Sequence, residues 1–560
     1  MNSVVNETLI RRLRSGYLIN ATTLAKYEPD FGIKAAFCST YTDLLLGACG
    51  PAADYARLLE RVSETGRIIL SDRGGSGKTV FLRRLLNFAR SKGFHCLFLD
   101  LSQWKDSDTE ALQRINTDRL GVFDFLLRRF SESGFDAALL EALDPGEQKL
   151  IIVDGLNETP GRMAERVLSA CDLAANTYPS LQIIASDRLI RRELDSEHRW
   201  AFLHILDLSR DDVVRILDRQ DFSEAEYELM RSPFFLDQQR KGNLGRSRIE
   251  TIKNYISEHG SVSTADLRSL SQAAFRIYKS VGARTFPESF LAEEVSPKVI
   301  SKLLQSQILI NRDDDQLCFA HHWTHDCLAS LYVSENQHLW GVEDRNGTLN
   351  ALTFRRNSFD AVGFVLQALD TTSSADFLQA VYDWNPYAAG YALSDVDSGF
   401  EGSVAKDVRT IVLSMLALRK LDRQLATAEK AADALNLFRD GLAVQLRNAG
   451  SIDELIALVA NISCDTTQFN EWKHIFCQPS DGRATSALVA ELPSENSING
   501  WTAANVVKRL HIGEDEISSL LALVESDRSV VRWRAAHALG AVARKEVVRT
   551  LLLHLAKDKD

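Results

Sequence analysis

The apolar run Ile68-Ile69-Leu70 leads into Asp72-Arg73-Gly74-Gly75-Ser76-Gly77-Lys78-Thr79, and then into Val80-Phe81-Leu82-Arg83-Arg84-Leu85-Leu86, whose apolar positions recur at helical spacing. A strand, a glycine-rich turn and a helix in immediate succession predict an α/β sheet with the turn at a strand's C-terminal end. Glycines let the backbone curl so that N–H groups point inward, and the positive end of the following helix adds to them; such a turn holds phosphates. The backbone of Gly74, Gly75, Ser76 and Gly77 would form the cradle. Lys78 would reach the β/γ-phosphates and the Thr79 hydroxyl would ligate Mg²⁺. Asp72 stands where the pattern has its first glycine. Asp tolerates left-handed backbone better than most residues, and Gly74 and Gly75 lie close by.

A second segment, Leu150-Ile151-Ile152-Val153-Asp154-Gly155-Leu156-Asn157-Glu158, is an apolar run ending in an acid. It reads as a buried parallel strand that presents Asp154 to Mg²⁺, with Glu158 placed to polarise an attacking water. His95–Asp100 and Leu181–Ser186 read as further strands, and Arg188 follows at the tip of the latter, where it can sense a γ-phosphate. Strands alternating with helical patterns predict a doubly wound parallel sheet. The two motifs in order point to a magnesium nucleotide.

A chain of 560 residues, 45% hydrophobic, has material for three or four domains. No apolar stretch approaches a membrane span and the N-terminus lacks a signal-peptide pattern, so the expectation is a cytoplasmic protein with no membrane partner. Eight cysteines without CxxC pairs suggest neither zinc nor a disulfide framework, and the expectation is reduced, mostly buried thiols. A net charge of −11 argues against gross nucleic-acid binding.

The series of motifs resembles the NACHT group of STAND signal-transduction NTPases over roughly residues 60 to 335. The resemblance rests on the P-loop, on Asp154-Gly155-Leu156-Asn157-Glu158, on Ile183-Ile184-Ala185-Ser186-Asp187-Arg188, and on Leu206-Asp207-Leu208-Ser209-Arg210-Asp211-Asp212. It continues through Ser232-Pro233-Phe234-Phe235-Leu236 and Phe319-Ala320-His321-His322-Trp323-Thr324-His325-Asp326-Cys327-Leu328-Ala329. It implies ATP and ADP as ligands, a nucleotide-proximal Pro233, and His321 on the β-phosphate of ADP from a winged-helix domain. Asp72 for glycine and Asn157 for an acid depart from the family pattern, which implies slow hydrolysis with Glu158 as the one water-activating acid. Preference for ATP over GTP rests on the resemblance, since no NKxD-type guanine motif is evident.

Without the family, Pro233 reads as a helix start, and Ile308-Leu309-Ile310-Asn311 with Gln316-Leu317-Cys318-Phe319 reads as a β-hairpin. A DNA-reading role is not indicated, because Phe290-Leu291-Ala292-Glu293-Glu294 is acidic where a recognition helix needs bases. His321, His322 and His325 cluster, but without a nearby acid or Cys set at ligand spacing.

The C-terminal part repeats: Trp501-Thr502-Ala503-Ala504 recurs as Trp533-Arg534-Ala535-Ala536, 533 − 501 = 32 residues later. Two amphipathic helices per unit resemble HEAT-type repeats, which present long surfaces to macromolecules. No cap is evident after the last unit, so the expectation is a short or truncated sensor.

The organisation read from the sequence is a short N-terminal helical segment (1–55, with a basic amphipathic helix at 6–14), a P-loop domain (56–205), a helical domain (206–258), a winged-helix-like domain (259–345), a helical region (346–479) and HEAT-like repeats (480–560). The functional expectation is an ADP-bound resting switch that exchanges for ATP, homo-oligomerises, and senses a protein or other macromolecular trigger through the C-terminal helices. The alternatives are an AAA-like ATPase remodeller of protein or nucleic acid, and a scaffold that no longer binds nucleotide.

Overall fold

The computed structural model describes residues 31–115, 118–131, 135–190, 192, 194, 200–281, 284–313, 316–341, 345–354, 359–397, 404–422, 424–478, 484–542 and 544–558. The basic helix expected at residues 6–14 lies outside them. The chain divides into two compact units, one running through Tyr332 and including Phe354–Phe364, the other comprising Val333–Thr353 and Val365–Asp560.

The first unit is built on a seven-stranded sheet. Its strands are β1 (Lys34–Cys38), β2 (Ala52–Ala53), β3 (Arg67–Ser71), β4 (His95–Asp100), β5 (Lys149–Asp154), β6 (Leu181–Asp187) and β7 (Ala201–Leu206), in the order β2-β1-β7-β3-β6-β5-β4. From β4 to β7 every pairing is parallel, as expected. The difference lies at one edge, where β1 runs antiparallel to both β7 and β2. Strands β3, β5 and β6 are buried along their whole length, which explains their unbroken apolar runs. Alternate side chains feed two cores: Ile68, Leu70, Ile152 and Ile184 pack with Phe81, Leu82, Leu85 and Leu86 of the helix Lys78–Ser91, while Ile69, Ile151, Val153 and Ile183 pack with Val167 and Leu168 on the other face. Two of the polar exceptions are paired: Arg67 with Asp172 at 2.7 Å, and Lys149, whose Nζ donates to the carbonyls of Asp144, Glu147 and Pro179 at 3.1–3.2 Å.

The cysteine expectation needs correction. Cys38, at the end of β1, is bonded to Cys49. The short helix Tyr41–Leu46 and the left-handed Gly47 that ends it fold the chain back, leaving the two Cα atoms 4.3 Å apart. Two cysteines 11 residues apart carry no recognisable spacing signal. Cys96, Cys171, Cys318 and Cys327 are buried and not disulfide-bonded, as expected.

Beyond the sheet, the helix Thr264–Ser280 leads to a three-stranded antiparallel sheet of β8 (Phe286–Pro287), β9 (Leu309–Asp313) and β10 (Gln316–Phe319), ordered β8-β10-β9. The hairpin predicted at 308–319 is β9–β10. The helix His322–Glu335 follows directly.

Among the described residues, the elements of the second unit are helices. The 32-residue repeat places Ser497–Arg509 and Glu514–Leu523 in correspondence with Ser529–Leu539 and Lys545–Leu555. Trp501 lies against His537 with ring centroids 4.9 Å apart, and Trp533 stacks on Trp384 at 4.5 Å. Arg534, fully buried, forms an ion pair with the equally buried Asp383 and donates to the carbonyls of Leu492 and Ser494, both at 2.8 Å. A Cβ at Gly500 would collide with its guanidinium. No described helix is long and apolar enough to cross a membrane.

Candidate functional site

The P-loop connects the C-terminal end of β3 to the helix Lys78–Ser91. Positive φ falls on Gly75 (68°) and Gly77 (90°) and not on Asp72, so the left-handed backbone anticipated for Asp72 is not used; the glycines absorb the turn instead. Asp72 is buried, and its carboxylate accepts from the Arg73 N–H at 2.6 Å and lies 3.4 Å from His204 Nδ1. Lys78 Nζ folds back over the loop, donating to the carbonyls of Asp72 at 2.9 Å and Arg73 at 2.6 Å, with Ser76 Oγ at 3.4 Å. Burial pulls the Lys78 ammonium below the usual lysine range, and the Asp72 carboxylate acts against that pull.

The Thr79 hydroxyl donates to Asp154 Oδ2 at 2.7 Å, and the Ser186 hydroxyl donates to the other oxygen of the same carboxylate. Ser186 also accepts from the Gly155 N–H at 2.8 Å. The order of strands explains this chain of contacts, because β6 lies between β3 and β5 and carries Ser186 to both. Burial raises the pKa of Asp154, while the hydrogen bonds from Ser186 and Thr79 lower it. A hydroxyl and a carboxylate in contact at the foot of a phosphate cradle are hard oxygen donors of the kind Mg²⁺ takes, so the residues fit the ion.

Glu158 and Arg188 are both engaged. Glu158 accepts from Asn157 Nδ2 at 2.7 Å and pairs with Arg284 Nε at 2.9 Å. Arg284 also donates to Asp326 at 2.8 Å, as does the Tyr278 hydroxyl at 3.0 Å. Arg188, 1% exposed, pairs with Asp360 and lies 3.9 Å from Asp326. Burial would raise the Asp326 pKa, but Arg284 and Arg188 hold it below the usual carboxylate range. Sequence reasoning missed Arg284, Asp326 and Asp360 as site residues. Asp326 lay inside a quoted motif; the other two carried no local signal.

Pro233 begins the helix Pro233–Arg240, and its Cγ lies 3.4 Å from where a Gly77 Cβ would be. Its reading as a helix start holds, and it lies beside the loop. Ser232 Oγ donates to the Gly75 carbonyl at 2.9 Å, a contact the sequence did not announce. Trp323 lies across the loop: a Cβ at Gly75 would come within 2.6 Å of its ring. His321 precedes the helix His322–Glu335 and lies 4.2 Å, centroid to centroid, from Phe234. Its Nδ1 accepts from the Trp323 N–H at 3.3 Å. Burial and then Arg188 push its pKa down to about 3, so His321 is a neutral ring at ordinary pH.

That depression has a measurable consequence. The unfolded chain protonates this histidine near 6.5, the folded chain only near 3, so its contribution to stability is complete above 6.5 and declines as pH falls toward 3, by up to about 1.4 kcal/mol per pH unit. The buried carboxylates Asp72 and Asp154, with raised pKa values, act in the opposite sense. Urea unfolding of wild type and His321→Gln between pH 7.5 and 5 isolates the term: wild type is expected to lose more stability on acidification, and parallel curves would contradict it.

The triple-histidine cluster does not converge. His325 Nε2 lies 3.1 Å from the Ala274 carbonyl, whereas His322 groups with Asp326 and Asp360, each offering one atom within 4.8 Å of the others. Both carboxylates already face guanidinium groups, so this cluster is arranged for Arg188 and Arg284 and not for an ion.

No protein-family model matches the sequence, and no curated protein matches it. Among solved structures, a STAND protein (signal transduction ATPase with numerous domains) with a tetratricopeptide repeat sensor from Pyrococcus horikoshii is similar at 12% identity and a TM-score of 0.28, covering 90% of this chain and 79% of that one. The Drosophila ORC bound to DNA (13% identity, TM-score 0.22, 57% of this chain and 98% of that one) and Cdc6p from Pyrobaculum aerophilum (13%, 0.22, 54% and 99%) are similar over a shorter span. Scores this low assign no function, so the functional reading rests on the site itself.

Proposed function

We propose that this chain is an ATP- and ADP-binding molecular switch of the STAND type, in its motif series a NACHT-like one. The observation that carries the reading is the contact of Thr79 with Asp154 at the end of β5, beneath a loop whose lysine caps its own carbonyls. Lys78 and the backbone of Gly74 to Gly77 bind phosphate. Thr79 and Asp154 hold Mg²⁺, which supplies charge neutralisation for the phosphates when bound. Pro233 and His321 face the nucleotide from the helical and winged-helix segments, His321 as an uncharged ring.

The engagement of Glu158 by Arg284 supports a switch over an ATPase remodeller, because a motor needs this acid at every turnover. Hydrolysis is accordingly slow. The P-loop domain begins earlier than the residue 56 read from the sequence, because β1 and β2 belong to its sheet; the compartment is cytoplasmic, and the 480–560 repeats with the preceding helices sense a macromolecular trigger. ADP maintains the resting form, and exchange for ATP drives homo-oligomerisation. Moving such a switch from 1:99 to 99:1 requires about 5.5 kcal/mol of differential nucleotide affinity. A role as a defence or regulatory sensor follows from the same reading.

The test is to denature purified protein and identify the released nucleotide by chromatography. Near-stoichiometric ADP is expected. Absence of nucleotide, together with no binding of added ATP or ADP, would overturn the reading in favour of a scaffold.

A further inference from the structure

Asp360 begins the helix Asp360–Ala368, 172 residues along the chain from Arg188, and is buried. Two groups meet its Oδ2, and the Gly74 backbone comes close to it. Arg188 Nη1 pairs with it, the Trp323 indole N–H donates to it at 2.7 Å, and a Cβ at Gly74 would lie 2.7 Å from it. The Lys78 ammonium also feels its charge. An anionic oxygen therefore sits against the glycine loop, in the grip of the arginine at the tip of β6.

A terminal phosphoryl group presents the same chemistry: anionic oxygens that take a guanidinium and N–H donors. We infer that Asp360 is a specificity-determining residue of the nucleotide site, an internal carboxylate that holds Arg188 and so makes the site favour a nucleoside diphosphate over a triphosphate. This rests on the nucleotide-site reading above. A diphosphate leaves the Arg188–Asp360 pair in place. A triphosphate must take Arg188 from Asp360, leaving a buried carboxylate next to added negative charge, which is costly on both counts. Asp326, 3.9 Å from Arg188, keeps the guanidinium partly paired when Asp360 is neutralised, so the variant retains its core electrostatics.

Asp360→Asn is close to isosteric and keeps an acceptor for the Trp323 indole while removing the charge. In the full chain with Mg²⁺, calorimetry with ADP and with a non-hydrolysable ATP analogue gives the ratio of their dissociation constants. The ratio of analogue to ADP is expected to fall about tenfold in the variant, equivalent to about 1.4 kcal/mol, with ADP affinity within about threefold of wild type. A merely structural role would weaken both ligands together. In an Arg188→Gln background the same substitution is expected to leave the ratio unchanged, since the competition needs both partners.

If both nucleotides bind and the ratio does not move, the Asp360 inference is wrong and the nucleotide site stands. If wild type binds neither nucleotide, the site reading itself fails and takes this inference with it. Should Asp360→Asn not fold, Trp323→Phe, which removes the N–H fixing the carboxylate, must lower the ratio in the same direction, and an unchanged ratio there refutes the proposal.

Discussion

Lys78→Ala is expected to weaken ADP and ATP binding by two to three orders of magnitude, the equivalent of about 3–4 kcal/mol. In this structure the ammonium is spent on the carbonyls of Asp72 and Arg73, at 2.9 and 2.6 Å. Those are neutral acceptors, and burial has already made the charged form of this lysine less favourable. A phosphate supplies the full counter-charge that the carbonyls lack, so binding gains both a charge-assisted hydrogen bond and relief of that burial cost. Alanine forfeits both. Calorimetric titration with ADP decides the matter, with far-UV circular dichroism confirming that the helix Lys78–Ser91 persists. An ADP affinity within threefold of wild type would remove Lys78 from the site.

In the second unit, Arg534→Met is expected to destabilise the chain by about 3–5 kcal/mol, because it leaves the fully buried Asp383 without its counter-charge. It also orphans the carbonyls of Leu492 and Ser494. Asp383→Leu made together with Arg534→Met should restore much of the loss, since an apolar pair of similar volume avoids the desolvation cost. Urea unfolding followed by tryptophan fluorescence, to which the Trp384–Trp533 stack contributes among eight tryptophans, measures both variants. A shift below about 1 kcal/mol in the single variant would mean that Asp383 finds another way to shed its charge, and the assigned pairing would be wrong.

How far the sequence could be read depends on how local each cause is. The strands β3, β4 and β5 carry continuous apolar runs that end in a polar residue, and β6 carries one interrupted by Gln182, so burial on both faces is written into them. The hairpin β9–β10 is visible because a charged turn separates two apolar stretches. Strand β1, Lys-Ala-Ala-Phe-Cys, is short and alanine-rich, and β2 has two residues; both exist because β7 offers an edge, which no local pattern records. The same distinction governs the site. Lys78, Thr79 and Asp154 belong to motifs whose spacing is itself the mechanism. Arg284 and Asp360 matter through partners distant in the chain, Glu158 and Asp326 for the first, Arg188 and Trp323 for the second, and nothing beside them in the chain marks that relation. Arg188 reads as a phosphate sensor from its position alone, and nothing local points to its partner Asp360.

The packing of Trp323 and Asp360 against the glycine loop bears on which substitutions that loop can accept. A methyl group at position 74 would meet the Trp323 indole, Asp360 and His322, and one at 75 would meet the Trp323 ring while also straining a backbone at φ 68°. Glycine is therefore required at both positions by protein side chains alone, before any phosphate arrives. In chains that share this arrangement, Gly74 and Gly75 would persist under selection for this packing even after nucleotide binding had been lost. Their presence is a record of what rests on the loop, and Lys78 and Thr79, which no such packing compels, are the positions whose drift would betray the loss.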